Sequence, residues 1–255
     1  MTGEMRDIVL RAAVPEDEEQ LTGLWCGVFG DPPELVKAFF SLLPGMGVGC
    51  AAVRDGTVLG AAYLIDGFLL MQPGKAPLRC GYLYAVAVEP AVRGRGLGAA
   101  VSRGAAELGR QRGAELICTL PAEESLYRWY GGILSLRHRN TRRLLSADRL
   151  PEAQPIAAEA YLRRREMLLR DRPHIRPNAS VMEFEAALCG ICGGGLYAAG
   201  DAIFCAYRDQ GRWVIPELLP LPAAEGFSGL SAESLPYLCA DRPLPDGLVW
   251  NLTFD

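Results

Sequence analysis

The stretch from residue 82 to residue 98 constrains the fold of this chain more than any other part of it. Residues 82–88 form an apolar run of tyrosine, leucine, alanine and valine that is typical of a buried strand. Residues 93–98 read Arg-Gly-Arg-Gly-Leu-Gly, and helical composition follows them. Because the backbone N–H groups of a glycine-rich turn and the dipole of the next helix can converge on an anion, the sequence predicts a strand, a phosphate-binding turn and a helix in succession.

The overall composition limits the classes of protein and partner. Half of the 255 residues are hydrophobic, which is sufficient for the core of one large domain or two ordinary ones. The formal net charge of -4 disfavours general nucleic-acid binding, because contact with the phosphate backbone requires a basic excess. No apolar run approaches the about 20 residues that a membrane span requires. We therefore predict neither a nucleic-acid partner nor a membrane partner.

The eight cysteines are dispersed and lie mostly in apolar runs, as reduced core thiols do. Arg6 and Asp7 interrupt the N-terminus before any apolar region forms, so no secretory signal is expected and a cytoplasmic location is predicted. Cys189 and Cys192 have the spacing of half a zinc site. Since no second pair completes four ligands, no metal site is predicted.

Turn and cap signals predict the order of the elements. Asp55-Gly56 is typical of a hairpin turn, and Pro44-Gly45 is expected to end a helix. The expected helices cover residues 15–25, 34–42, 99–112, 121–130 (ended by the Gly131-Gly132 pair), 157–170 and 181–188. The expected strands cover residues 8–12, 50–54, 58–65, 82–88, 115–120, 196–207, 213–219 and 248–254. The arginine run at residues 163–165 indicates a solvated helix face or a domain contact.

Three nucleotide-binding interpretations of the glycine turn differ in the context they require. A Walker loop fails, because Gly98-Ala99 offers neither lysine nor hydroxyl. Gly94-x-Gly96-x-x-Ala99 matches the dinucleotide fingerprint formally, but residues 89–93 separate it from its strand and the expected acid after the next strand is missing. That second interpretation is therefore disfavoured.

The third interpretation fits the context. Arg93-x-x-Gly96-x-Gly98, between its strand and its helix, resembles the acetyl-CoA-binding motif of the GNAT superfamily of N-acetyltransferases. The resemblance covers about residues 5 to 145 and implies an α/β fold with a mixed (α+β) sheet. It implies that the coenzyme A pyrophosphate lies on the turn and that the pantetheine arm pairs with the preceding strand. The implied binding residues are Val86, Ala87, Val88, Arg93, Gly94, Arg95, Gly96, Leu97, Gly98 and Ala99.

A second segment carries the same resemblance, namely residues 125–133. Tyr127, four residues before Gly131, matches the GNAT tyrosine that protonates the departing thiolate, and a phenol can supply that proton. The chain departs from the family pattern where Gly132-Ile133 replaces the usual phenylalanine. The alternative is that Tyr127 and Tyr130 are interior aromatic residues.

Other roles at the end of the central strand follow from what acyl transfer requires. Glu89 is the candidate general base, with an ordinary solvated strand end as the alternative. Tyr84 is expected to line the acceptor pocket. A backbone N–H of Val86 or Ala87 is expected to hold the oxyanion.

The sequence pattern changes near Leu150. This change predicts a GNAT domain over 1–149 and a smaller half over 150–255. The second half resembles a degenerate GNAT-like repeat, because no arginine and no paired glycines follow its own strand at residues 213–220. Such a half is expected to wall the acceptor pocket or to mediate assembly, with a homodimer as the candidate.

The resemblance implies direct transfer of an acetyl group from acetyl-CoA to a primary amine in a ternary complex. A catalytically silent acyl-CoA-binding regulatory module is the alternative. The acceptor stays open among small-molecule and peptide amines.

Overall fold

A computed structural model describes residues 7–220, 226–252 and 254 of the chain. The helices are α1 (Glu18–Phe29), α2 (Pro33–Met46), α3 (Leu97–Gln111), α4 (Glu124–Ile133), α5 (Ala158–Leu169) and α6 (Ala179–Ile191). The strands of the first half are β1 (Val9–Ala12), β2 (Gly47–Arg54), β3 (Thr57–Met71), β4 (Leu78–Val88), β5 (Leu116–Thr119) and β6 (His138–Ala147). The remaining strands are β7 (Gln154–Pro155), β8 (His174–Pro177), β9 (Gly195–Ala199), β10 (Ala202–Asp209), β11 (Arg212–Leu219) and β12 (Ser231–Ala240).

The described strands form one mixed sheet that spans both halves of the chain. Its order is β1-β2-β3-β4-β5-β12-β6-β11-β10-β9-β7, with β8 paired to β3 off this path. The β4–β5 pair is parallel, whereas β12 runs antiparallel to both β5 and β6. The predicted mixed α/β fold is confirmed. The division at residue 150 remains a prediction, because the sheet continues through β12 into the first half.

The predicted hairpin at Asp55-Gly56 is present between β2 and β3. Both residues have positive φ, 49° for Asp55 and 76° for Gly56, which is the backbone of the turn that matches the twist of two antiparallel strands. The register of the hairpin sets the β3 residues that pair with β4.

Helix α3 packs directly on the sheet through its glycines. A Cβ at Gly104 would lie 2.4 Å from Cys50 Sγ, and one at Gly109 would lie 1.7 Å from Leu64 Cδ2. Leu64 and Cys50 are buried, so they have little room to move away from a larger side chain. The absence of a side chain at the two glycines therefore lets the helix axis approach β2 and β3. This contact fixes where α3 begins, and therefore where the glycine turn lies.

Four of the sequence predictions of element boundaries are wrong. Helix α2 runs through Pro44 to Met46, and Asn178 Nδ2 donates to the Gly45 carbonyl at 2.8 Å, so a contact from α6 satisfies its last turn. Helix α4 likewise continues through Gly131 and Gly132, because tertiary packing outweighs a propensity cost of about 1 kcal/mol per glycine.

The other two corrections concern the second half. The single strand expected over residues 196–207 is a hairpin, because the chain turns at Gly200 with φ 57° and β9 pairs with β10. The strand expected over residues 248–254 is irregular where it is described, with only an isolated bridge from Val249 to His174. Residues 221–225, part of the segment predicted to lack a phosphate-binding turn, lie outside the described residues.

The end of the chain returns to the first half. Trp250 and Phe254 are buried in the same core cluster as Phe68 and Tyr82, and the Phe68 and Phe254 ring centroids are 6.2 Å apart. The C-terminal segment therefore forms part of the wall around the central strand.

The cysteines form no disulfide bonds with one another. All eight are free, and six of them are buried, as reduced core thiols are expected to be. Within the described part of the chain, every helix is too short or too polar to cross a bilayer.

Candidate functional site

The central strand β4 separates from β5 part-way along its length. The two strands stay in register from Cys80↔Leu116 to Tyr82↔Cys118. Thr119 Oγ1, at the end of β5, then donates to the Leu83 carbonyl at 2.8 Å, while β4 continues to Val88. Strands β4 and β5 therefore diverge beyond Tyr82 and Cys118, and the Thr119–Leu83 hydrogen bond lies where they separate. We call this divergence the fork.

A bulge in β4 lies at this fork. The register with β3 shifts between Tyr63↔Tyr84 and Ala61↔Ala87, and Ala85 has φ 47°. A bulge bends its strand and re-aims the backbone groups beside it. Strand β4 thereby presents Ala85 and Val86 to the opening instead of to a neighbouring strand.

The glycine turn follows β4 and leads into α3. Gly94 and Gly96 have φ of 76° and 84°, a region that L side chains rarely adopt, and Gly96 is the N-cap of α3. Arg93 Nε donates to the Val88 carbonyl at 3.0 Å and ties the turn to the end of the strand. Apart from the adjacent residues of the turn, no atom of the described residues lies within 4 Å of a Cβ built at either glycine, so a ligand can reach the backbone there.

A cavity of about 540 Å³ lies over this turn. Eight of the ten residues predicted to bind the cofactor line it, namely Val86, Val88, Arg93, Gly94, Gly96, Leu97, Gly98 and Ala99. Ala87 faces the core instead, with 3% of its surface exposed, and Arg95 is not part of the lining. The cavity combines backbone N–H groups, a helix N-terminus and one cationic side chain, which together suit a phosphate.

A second cavity of about 380 Å³ lies on the other side of the bulge. It shares Val86, Leu126 and Tyr130 with the first. Its other lining residues are Trp25, Phe29, Asp31, Tyr82, Leu83, Tyr84, Ala85, Thr119, Leu120, Pro121, Ala122 and Phe254. The two cavities therefore meet at Val86, beside the backbone expected to hold an oxyanion.

The second cavity contains residues that the sequence did not indicate. Trp25 Nε1 donates to Asp31 Oδ2 at 2.7 Å, and Tyr84 donates its hydroxyl to the Phe254 carbonyl at 3.2 Å. Tyr84 lines this cavity, where the acceptor pocket was expected. The Asp31-Pro32-Pro33 segment signals only a helix break, and Phe254 reaches the site from the end of the chain, so no local pattern indicates either residue.

The two candidate tyrosines of α4 are three residues apart and both pack in the same core cluster, but they differ in their access to the cavities. Tyr130 lines both cavities, and burial raises the pKa of its phenol, so the hydroxyl keeps its proton over a wide pH range. Tyr127 lines neither cavity. Its hydroxyl oxygen is buried, and the Arg139 guanidinium stacks on its ring at 4.5 Å.

Glu89, the predicted base, is exposed at the end of β4 and lines neither cavity. Its backbone N–H donates to the Leu59 carbonyl at 2.9 Å, which holds the main chain at the strand end. Within the described residues, no group of three or more His, Cys, Asp or Glu side chains could hold a metal ion.

Comparison with known families decides between the interpretations of the turn. Residues 9–132 match the family model described as "Acetyltransferase (GNAT) domain". This part of the chain is a GNAT acetyltransferase domain. The matched range contains the fork, the glycine turn and all of α4 except Ile133, so it includes the glycine-turn motif and Tyr127.

Solved structures share the fold over most of the chain. A GCN5-related N-acetyltransferase from Kribbella flavida is 15% identical, with a TM-score of 0.64 over 94% of this chain and 72% of its own. A conserved protein of unknown function from Enterococcus faecalis is 14% identical, with a TM-score of 0.62 over 91% and 72%. Eis1 from Mycobacterium abscessus is 13% identical, with a TM-score of 0.57 over 85% and 59%.

These likenesses extend into the second half of the chain, beyond the matched GNAT domain. At such identities they show a shared fold alone. No curated protein matches the chain.

Proposed function

We propose that this GNAT protein transfers an acetyl group from acetyl-CoA to a primary amine by direct attack in a ternary complex. The observation that carries the proposal is the meeting of the two cavities at Val86. One cavity has the N–H groups and helix N-terminus suited to a pyrophosphate, and the other is an aromatic-lined chamber that an acceptor can enter. Both substrates can therefore reach the same strand backbone from opposite sides.

The chemistry assigned to the chain follows from this arrangement. The amine nitrogen forms a bond to the thioester carbon, the C–S bond breaks, and the amine gives its surplus proton to solvent. A backbone N–H at Val86, beside the bulge, is in a position to stabilise the oxyanion. The coenzyme A thiolate then requires a proton from a nearby acid.

The first test of the function is binding and turnover of the wild-type protein. Isothermal titration is expected to show binding of one acetyl-CoA per chain, and a free-thiol assay with a panel of primary amines is expected to show coenzyme A release. A folded sample that does not bind acetyl-CoA would contradict the proposal. Binding without thiol release from any amine would favour the silent acyl-CoA-binding module instead.

The second prediction separates the two phenols of α4. Tyr130→Phe is expected to lower kcat by about 100-fold, the lower end of general-acid contributions, because Tyr130 lines both cavities. Tyr127→Phe is the matched control and is expected to change kcat by less than about threefold. Both variants should keep the wild-type affinity for acetyl-CoA by titration. The opposite order of effects would return the acid role to Tyr127, as the GNAT sequence pattern implies.

The second half is proposed to be a degenerate GNAT-like repeat that walls the acceptor cavity. The succession α6, β9, β10 and β11 repeats that of α2, β2, β3 and β4, with antiparallel pairing in both. Phe254 supports the wall function, because it lines the second cavity.

A further inference from the structure

The charge of the second cavity differs from that of the first. Asp31 is the one carboxylate among the described residues that line the second cavity, and no lysine, arginine or histidine accompanies it there. The first cavity instead contains Arg93 and the glycine turn. The site therefore places a cationic group where the phosphates are expected and an anionic group where the acceptor is expected.

The Asp31 side chain is held in place by its surroundings. Helix α1 ends at Phe29, and Gly30, with φ 78° in the left-handed region, caps it directly before Asp31. Trp25, only 1% exposed, donates its indole N–H to Asp31 Oδ2 at 2.7 Å. Among the described residues this is the one side-chain hydrogen bond that Asp31 accepts, so its other carboxylate oxygen, Oδ1, is available to a ligand.

Aromatic rings line the same cavity as the carboxylate. Trp25 lies 5.6 Å from Tyr84 between ring centroids, and Tyr84 lies 5.6 Å from Phe254. The faces of such rings attract cations, and their bulk favours an apolar substrate body. If the ligand itself carried a carboxylate, that group would find no cationic side chain among the described lining residues to neutralise it.

We propose that Asp31 binds the protonated amine of the acceptor and that the acceptor class is a primary amine on an aromatic or apolar body without an acidic group. The assignment rests on the proposed function, because it concerns the acceptor side of the same site. It gives Asp31 a role in binding, and the amine then loses its proton to solvent before attack.

The test uses phenethylamine and phenylalanine as acceptors, because the two differ only by a carboxylate. Wild-type kcat/KM is expected to be at least about tenfold higher for phenethylamine. Asp31→Asn is expected to raise the KM for phenethylamine about 10- to 100-fold, the range of a hydrogen bond to a charged group, with kcat within about threefold. Asparagine can still accept the Trp25 N–H, so the fold is expected to persist.

Two matched variants complete the design. Glu34→Gln removes an exposed carboxylate from the first turn of α2, close to Asp31 in sequence, and is expected to leave both KM values unchanged. Asp31→Glu, which restores the negative charge, is expected to recover part of the lost affinity. Equal KM values in the wild type and in Asp31→Asn would overturn the inference, and so would a preference for phenylalanine.

A probe that cannot be acetylated separates this inference from the proposed function. Phenethyltrimethylammonium carries a permanent charge and is titrated into the coenzyme A complex of the wild type and of Asp31→Asn. About tenfold weaker binding to the variant would support the inference even if no amine were turned over. Equal binding would overturn it while leaving thiol release, and hence the proposed function, intact.

Discussion

Replacing Gly96 with valine is expected to weaken acetyl-CoA binding by at least about 100-fold while the protein stays folded. Gly96 has φ 84° and caps α3 at the lining of the first cavity. Valine at such a φ costs on the order of 1–3 kcal/mol of strain, which the turn relieves by shifting its backbone. The shift displaces N–H donors, and two lost bonds to a charged group suffice for an effect of this size.

Gly74→Val is the matched control for the Gly96 prediction. Gly74 has φ 74°, and a Cβ there would likewise meet no atom of the described residues within 4 Å other than its chain neighbours. It lies in the loop between β3 and β4 and lines neither main cavity. Both variants should lose similar stability in thermal unfolding, while isothermal titration detects lost binding only for Gly96→Val. Unchanged affinity in Gly96→Val would show that the turn does not hold the pyrophosphate.

Removing Arg165 is expected to produce the largest loss of stability. Arg165 and Glu217 are each 1% exposed and share hydrogen bonds of 2.9, 3.0 and 3.2 Å. Arg165 also donates to the Ile175 carbonyl at 2.6 Å. Arg165→Ala leaves the Glu217 carboxylate buried without its countercharge, which typically costs 3–5 kcal/mol, or roughly 10 °C in Tm for a chain of this size.

A neighbouring ion pair on α5 provides the control for the Arg165 prediction. Arg163 pairs with Glu159 at 2.5 Å, but both side chains are largely exposed, so Arg163→Ala is expected to cost less than about 1 kcal/mol. The double variant Arg165→Leu with Glu217→Leu is expected to recover stability, because it removes both charges together. Urea unfolding measures all four proteins, and equal losses for Arg163 and Arg165 would contradict the assignment.

The buried pair also connects the second half to the acceptor cavity. Arg165 holds Ile175 of β8, and the Ile175 N–H donates to the Val249 carbonyl at 3.0 Å. Val249 precedes Trp250 and Phe254, and Phe254 lines the cavity. We therefore expect loss of the pair to loosen the wall around the acceptor as well as the second half itself.

The arginine run on α5 shows what a local pattern leaves open. Arg163 is solvated, as one of the two predicted alternatives requires, whereas Arg165 is buried against β11 within the second half, which neither alternative describes. The identity of the residues alone does not distinguish them. What separates them is Glu217, which lies about 50 residues further along the chain and reaches α5 only when β11 joins the sheet.

The residues of the candidate site also divide into those that the local sequence predicts and those that only the tertiary structure identifies. The glycine turn and the eight cofactor-side residues at its cavity were predictable, because φ requirements, helix starts and strand composition are properties of neighbouring residues. Asp31, Tyr130 and Phe254 were not singled out for the site. Their place depends on the direction of α1, the orientation of α4 and the path of residues 249–252 and 254.

The sequence by itself determined the strand, turn and helix over residues 82–98, the GNAT family of the first half, and the placement of most cysteines in the core. Only the tertiary structure decided that β12 enters between β5 and β6, that Tyr130 rather than Tyr127 reaches both cavities, and that Asp31 stands in an aromatic chamber. The physical reason is the sequence separation of the interacting residues. Backbone geometry and capping depend on residues a few positions apart. Strand order and cavity lining depend on packing between segments tens to hundreds of residues apart, which local periodicity does not encode.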